Sequence, residues 1–187
     1  MNRLAWTAAV LTCALAGCGS PETTEPAAEP SPAPAPPPAA DSVRAVAMLR
    51  TTDGAAAGSA SAVNTGGQVV ISLDLQGLPP GVHGVHVHMT GRCDGPTFAS
   101  AGGHWNPADR QHGLENPQGQ HAGDMPNLTV GEDGRGTLEY QLRGGGFEDL
   151  FDADGSAIVV HASADDQRTD PSGDSGDRIA CGVFERG

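Results

Sequence analysis

The chain has 187 residues, with 23 acids against 10 basic residues and no lysine, for a formal net charge of −13. This balance excludes a basic surface for nucleic acid. The acidity favours solubility and, taken alone, repels anions.

Residues 1–17 read as a secretory signal of the lipoprotein kind. Arg3 supplies the positive end, Leu4 to Leu15 the apolar stretch, and Leu15-Ala16-Gly17-Cys18 places small residues before a cysteine that would become the lipidated first residue. The apolar stretch is shorter than the roughly 20 residues a membrane span needs. Residues 18–40 read as the lipidated Cys18 followed by a disordered stalk. Eight prolines and six alanines fall between 19 and 40, with Glu22, Glu25 and Glu29 the only charges. Such a segment cannot bury a core; extended as polyproline it would reach roughly 70 Å. The N-terminal features therefore predict an exported protein held at the cell envelope by its lipid alone, on the periplasmic face or the outer surface of a bacterial membrane. They leave open which membrane. Without residues 1–17, which hold one arginine and no acid, the balance is −14.

Residues 41–187 fit one domain. Short alternating runs broken by Gly, Pro, Asn and Asp predict strands at Val43–Arg50, Gly58–Val63, Gln68–Gln76, Val82–Met89, Leu128–Val130, Gly136–Leu142, Ala157–His161 and Arg178–Phe184. The pattern predicts an all-β fold, an eight-stranded antiparallel Greek-key sandwich or flattened barrel. Within Gln68–Gln76, Val69, Ile71, Leu73 and Leu75 share one face, as in a half-buried strand. The segments Thr90–Asn127 and Ala162–Asp177 are too long and polar for hairpin loops, and long structureless loops in a compact domain are usually functional. Cys13 leaves with the signal and Cys18 is committed to lipid, so Cys93 and Cys181 are the two thiols left to pair in an exported chain.

Six of the seven histidines lie between His83 and Asp124, and the seventh, His161, ends an apolar strand. Imidazole is the commonest protein ligand for zinc and copper. His86 and His88, two apart on a strand, project from one face about 6.6 Å apart at Cα, close enough to share a metal. His104, His112, His121 and Asp124 follow at separations of eight, nine and three. Three imidazoles and a carboxylate form a closed tetrahedral set suited to a structural zinc. His83, three residues before His86, falls on the opposite strand face and is expected to have a structural hydrogen-bonding role. Taken singly, His112 reads as a loop histidine, Asp124 as a turn aspartate and Arg178 as a salt-bridging arginine. Their joint occurrence in order carries the weight.

At these residues the chain resembles the copper/zinc superoxide dismutase family. The shared motifs are Gly81-Val-His83-Gly-Val-His86-Val-His88, Gly102-Gly-His104-Trp-Asn-Pro107, His112-Gly113, His121-Ala-Gly-Asp124, Val159-Val-His161 and Arg178-Ile-Ala-Cys181-Gly182. The resemblance implies copper and zinc as cofactors. His86, His88, His104 and His161 would hold copper, and His104, bridging the two ions, would join His112, His121 and Asp124 around zinc. It further implies that Asp165 links a copper histidine to a zinc histidine, that Arg178 attracts the anion above the copper, and that Cys93 and Cys181 form a disulfide. The expected enzyme converts superoxide to oxygen and hydrogen peroxide by copper redox cycling, with Arg178 and His104 as its catalytic residues.

Two features depart from the family. Ala162–Asp177 carries Asp165, Asp166, Asp170, Asp174 and Asp177 against only Arg168, where the family's corresponding loop often has lysines. Only four residues separate His88 from Cys93, so the usual subunit-interface segment differs and homodimer formation is left open. The alternative reading is a copper-binding or buffering protein of the same fold without dismutase activity. A cell-envelope structural sandwich would explain the stalk and strands but not the histidine intervals.

Overall fold

Ten strands form among residues 43–187, the part of the chain that this computed structural model describes; the signal, lipidation and stalk expectations for residues 1–40 lie outside it. In chain order they are β1 (Arg44–Thr51), β2 (Ala56–Thr65), β3 (Gln68–Leu75), β4 (Gly81–His83), β5 (Val85–His88), β6 (Leu128–Val130), β7 (Gly136–Gln141), β8 (Ala157–His161), β9 (Arg178–Val183) and β10 (Glu185–Arg186). One antiparallel sheet runs β5, β8, β9, β1, β2, β3, β7, with β10 paired to β1 as its eighth strand. β4 and β6 form a separate two-stranded ribbon. The fold is the expected all-β, eight-stranded antiparallel architecture. β1, β2 and β3 are joined consecutively, and β9 returns to lie beside β1 in the Greek-key manner.

The alternation read in β3 is realised. Val69, Ile71 and Leu75 are completely buried and Leu73 nearly so, while the intervening residues are exposed or half-buried. Each such side chain contributes roughly 1.5–3 kcal/mol by leaving water. Ala45, Ala47 and Leu49 of β1 enter the same core, as do Val85, Val87, Ile158 and Val160 of β5 and β8. β8 is buried along its whole length because its other face is covered too. There Ala157 and Val159 pack with Cys181 of β9 and with Phe98 and Ala101, which the long loop after β5 brings over. Cys93 and Cys181 form the disulfide that clamps this loop to β9, with Cα atoms 5.7 Å apart and a separation of 88 in sequence. Closing a loop of that length constrains the unfolded chain by roughly 4 to 5 kcal/mol.

The expected strand Val82–Met89 is two strands in two different sheets. At Gly84 the backbone leaves both ladders: its N–H donates to the Ser163 carbonyl at 2.8 Å, and its carbonyl accepts from the His161 N–H at 2.9 Å. His83 therefore pairs with Leu128 in the ribbon, and Val85 begins the large sheet opposite Val160. β10 carries no strand signal in its sequence, and its two residues pair with Ala45 and Val46. Other boundaries move by one or two residues.

β5 lies at the edge of the sheet, where unpaired backbone groups need cover. Segment 90–127 supplies it and so comes to rest beside the histidines of that strand.

Candidate metal centre

The long loop attaches to β5 through its own backbone. Trp105 N–H donates to Val87 O at 2.8 Å, Val87 N–H donates to Gly123 O at 2.9 Å, and Gly123 N–H donates to Trp105 O at 2.8 Å. A Cβ on residue 123 would collide with the Val87 carbonyl oxygen, so this approach requires glycine. The attachment brings Asp124 opposite His86 and His104 opposite His88. β8 pairs with β5 on its other side and delivers His161 at its end.

Two groups of side chains result. His86, His88, His104 and His161 are all buried and each offers a ligand atom, all lying within 4.8 Å of one another. His86 Nδ1, His88 Nε2, His104 Nε2 and His161 Nε2 are buried ring nitrogens with no hydrogen-bond partner. Leaving four polar atoms unpaired in one place is costly unless something coordinates them. The opposite nitrogens are held: His86 Nε2 by Asp165 Oδ2 at 2.6 Å, His88 Nδ1 by Gly102 O at 2.9 Å, and His161 Nδ1 by Gly176 O at 3.1 Å. Fixing the outer nitrogen sets the tautomer that turns the other inward. Burial, above all, holds these rings neutral, with His86 pushed down to about 3, His161 to about 4 and His88 well below its ordinary value. Neutral imidazoles that suit both copper oxidation states fit this group.

The second group is His104, His112, His121 and Asp124, again within 4.8 Å of one another. Asp124 Oδ1 lies 3.0 Å from His104 Nδ1, 3.0 Å from His112 Nδ1 and 3.2 Å from His121 Nδ1, and the His121 and His104 Nδ1 atoms are 3.4 Å apart. A zinc tetrahedron with bonds of about 2.0–2.1 Å has edges of about 3.3 Å, close to these four separations. The other Asp124 oxygen accepts from the backbone N–H groups of Gly113 at 2.8 Å and His121 at 2.9 Å. Burial works against the Asp124 anion, but hydrogen bonds from His104, His112 and His121 prevail and hold it well below the usual carboxylate range. His104 belongs to both groups, with Nδ1 in one and the unpartnered Nε2 in the other.

Asp165 joins the two sets, one oxygen on His86 Nε2 and the other 3.0 Å from His112 Nε2. Arg178 is half-buried and held by two carbonyls, donating from Nη1 to Phe98 O and from Nη2 to Gly102 O, each at 2.7 Å. A cleft of about 510 Å³ opens here, lined by His88, His104, His161 and Arg178. His83 stands apart: its ring nitrogens lie 2.8 Å from the carbonyl oxygens of His161 and Pro79, the hydrogen-bonding role expected of it.

Two further positioning residues carry no signal in the sequence pattern. Asn127 receives the Asp165 N–H on Oδ1 and donates from Nδ2 to the Asp165 carbonyl, both at 2.8 Å. Asp170 accepts the His112 backbone N–H at 2.6 Å and lies 3.7 Å from His121 Nε2. Neither stands at an informative spacing from a histidine.

The profile of the copper/zinc superoxide dismutase (SODC) family matches residues 56–184. The chain is 43% identical to superoxide dismutase [Cu-Zn] 2 of Aquifex aeolicus, over 76% of this chain and 86% of that one. It is 43% identical to superoxide dismutase [Cu-Zn] of Caulobacter vibrioides, over 75% and 85% respectively. Among solved structures, a double mutant of a SOD-like protein from Bacillus subtilis superposes with a TM-score of 0.68 at 41% identity, covering 74% of this chain and 95% of that one.

Proposed function

We propose that this chain, which belongs to the copper/zinc superoxide dismutase family, holds copper with His86, His88, His104 and His161 and zinc with His104, His112, His121 and Asp124. The observation that carries the copper assignment is the convergence of four buried imidazole nitrogens that nothing else satisfies. When bound, copper supplies one-electron chemistry, oxidising one superoxide to oxygen and reducing a second, with two protons, to hydrogen peroxide, while zinc keeps a single oxidation state. The residues around that chemistry have separable tasks. Arg178 presents a guanidinium already fixed by Phe98 O and Gly102 O, so it orients an anion in the cleft without reorganising. His104 Nε2 is the atom at which a proton can be held for the peroxide product, because Nδ1 stays committed to the zinc set. Asp165 keeps His86 and His112 in complementary orientations from one carboxylate.

The second reading, a copper-binding protein of this fold without dismutase activity, is favoured only by the likeness to the Bacillus protein described as SOD-like. All four candidate copper histidines and Arg178 are present here, which supports the enzyme. Export and tethering through Cys18 belong to the same proposal and rest on the pattern of residues 1–40.

Metal analysis of two variants tests the ligand assignment. His161→Ala should lose copper and keep zinc, because only the copper set includes His161. His121→Ala should lose zinc first and then hold copper less firmly as the long loop loosens. Equal loss of both metals from both variants would overturn the assignment.

A further inference from the structure

Met89 follows His88 directly, is 49% exposed, and lines the same cleft as His88, His104, His161 and Arg178. Its side chain has a shaped seat. A Cβ on Gly102 would meet Met89 Cγ at 3.0 Å, closer than an ordinary contact, so this glycine leaves the side chain its room, and Sδ lies at ordinary contact distance, 3.7 and 3.9 Å, from where Cβ atoms on Gly102 and Gly103 would stand. The same Gly102 carbonyl receives His88 Nδ1 and Arg178 Nη2, so the sulfur rests on backbone that positions two groups of the site. The other methionines among the described residues lie elsewhere. Met125 is fully buried in the core, and Met48 is 67% exposed on β1 and lines a different groove.

A thioether is a soft, uncharged donor on a flexible stem, suited to Cu(I) and poorly matched to zinc. Resting on the copper assignment proposed above, we infer that Met89 is a docking ligand for incoming Cu(I) at the mouth of the cleft. The sulfur lone pair takes the ion from its carrier and passes it to the unpartnered imidazole nitrogens behind it. The ion stays Cu(I) throughout and no electron is transferred: it passes to His86 Nδ1, His88 Nε2 and His161 Nε2, which carry no proton because the opposite ring nitrogens donate to Asp165, Gly102 O and Gly176 O, while His104 Nε2 keeps the proton of its neutral ring. Met89 has no place in the final ligand set, so its effect lies in the rate of loading and not in the copper content reached.

The test follows copper uptake by the zinc-loaded, copper-free protein from two donors: Cu(I) bicinchoninate, read by loss of its colour, and a Cu(II) glycine complex. Met89→Leu keeps the shape and removes the sulfur. It should take up Cu(I) several-fold more slowly than the wild type, take up Cu(II) at the wild-type rate and reach the same final copper content. Met48→Leu should match the wild type with both donors. Wild-type Cu(I) uptake by Met89→Leu, or equal slowing with both donors, would overturn the inference while leaving the copper assignment standing. Failure of the wild type to take up either ion would instead remove the assignment on which the inference rests.

Discussion

His112 stands between two carboxylates, with Nδ1 3.0 Å from Asp124 and Nε2 3.0 Å from Asp165. Burial alone would push its pKa down, but the hydrogen bonds to Asp124 and Asp165 outweigh it and raise the ring from its ordinary 6.5 to about 9. In the metal-free protein at neutral pH the ring therefore carries both protons, and zinc can take Nδ1 only by displacing one. The proton on Nε2 stays with Asp165. Zinc binding should thus release about one proton from this residue at pH 7, and the release should disappear as pH rises through about 9. Calorimetric titrations in buffers of different ionisation enthalpy measure it, and zinc binding with no proton released from pH 7 to 8 would contradict the arrangement. The linkage has a definite sign. Because its folded pKa is raised, His112 stabilises the metal-free fold fully below the unfolded value near 6.5, and that contribution is lost as pH climbs through about 9.

At the scale of elements, the site depends on the long loop being attached to the edge of β5, and Gly123 is the point of closest approach. Gly123→Ala would drive a methyl into the Val87 carbonyl. The loop must then lift, at a cost of about 1–3 kcal/mol, carrying Asp124 and His104 away from β5. Thermal unfolding should show the loss, and zinc and copper affinities should fall together, because His104 serves both groups. Unchanged affinity for both metals would show that the attachment does not position the site. Much of this element structure was legible in the sequence. The period of two in β3 marked its buried face, and the histidine intervals drew together residues that the fold does bring into two adjoining groups. What could not be read depends on partners distant in sequence. The break at Gly84 exists because Ser163 and His161 capture its backbone groups, and β10 exists because β1 offers two residues to pair with. Asn127 acts through Asp165, 38 residues away in sequence, and Asp170 through His112 and His121, 58 and 49 residues away.

The chain carries a net charge of −13 and would repel an anion approaching from a distance. Around the cleft the charges balance more closely, since Arg110 and Arg178 line it together with Asp109 and Asp170. Arg168, the one basic residue in segment 162–177, is tied to Glu115 at 2.5 Å. Attraction then acts only within a few ångströms of the site, where mobile ions, with a screening length of roughly 8 Å at physiological strength, have little influence. Raising salt from about 10 mM to 150 mM, which shortens that length from roughly 30 to 8 Å, should leave the bimolecular rate flat or slightly higher. A several-fold fall would mean that a long-range positive field guides the anion. The central claim, that the four unpartnered imidazole nitrogens make a redox copper site beside a structural zinc, is tested most directly by superoxide consumption of the purified chain loaded with both metals. Rapid consumption that requires copper and vanishes when zinc alone is supplied is the predicted result. A protein fully loaded with copper and zinc that consumes superoxide no faster than buffer would contradict it.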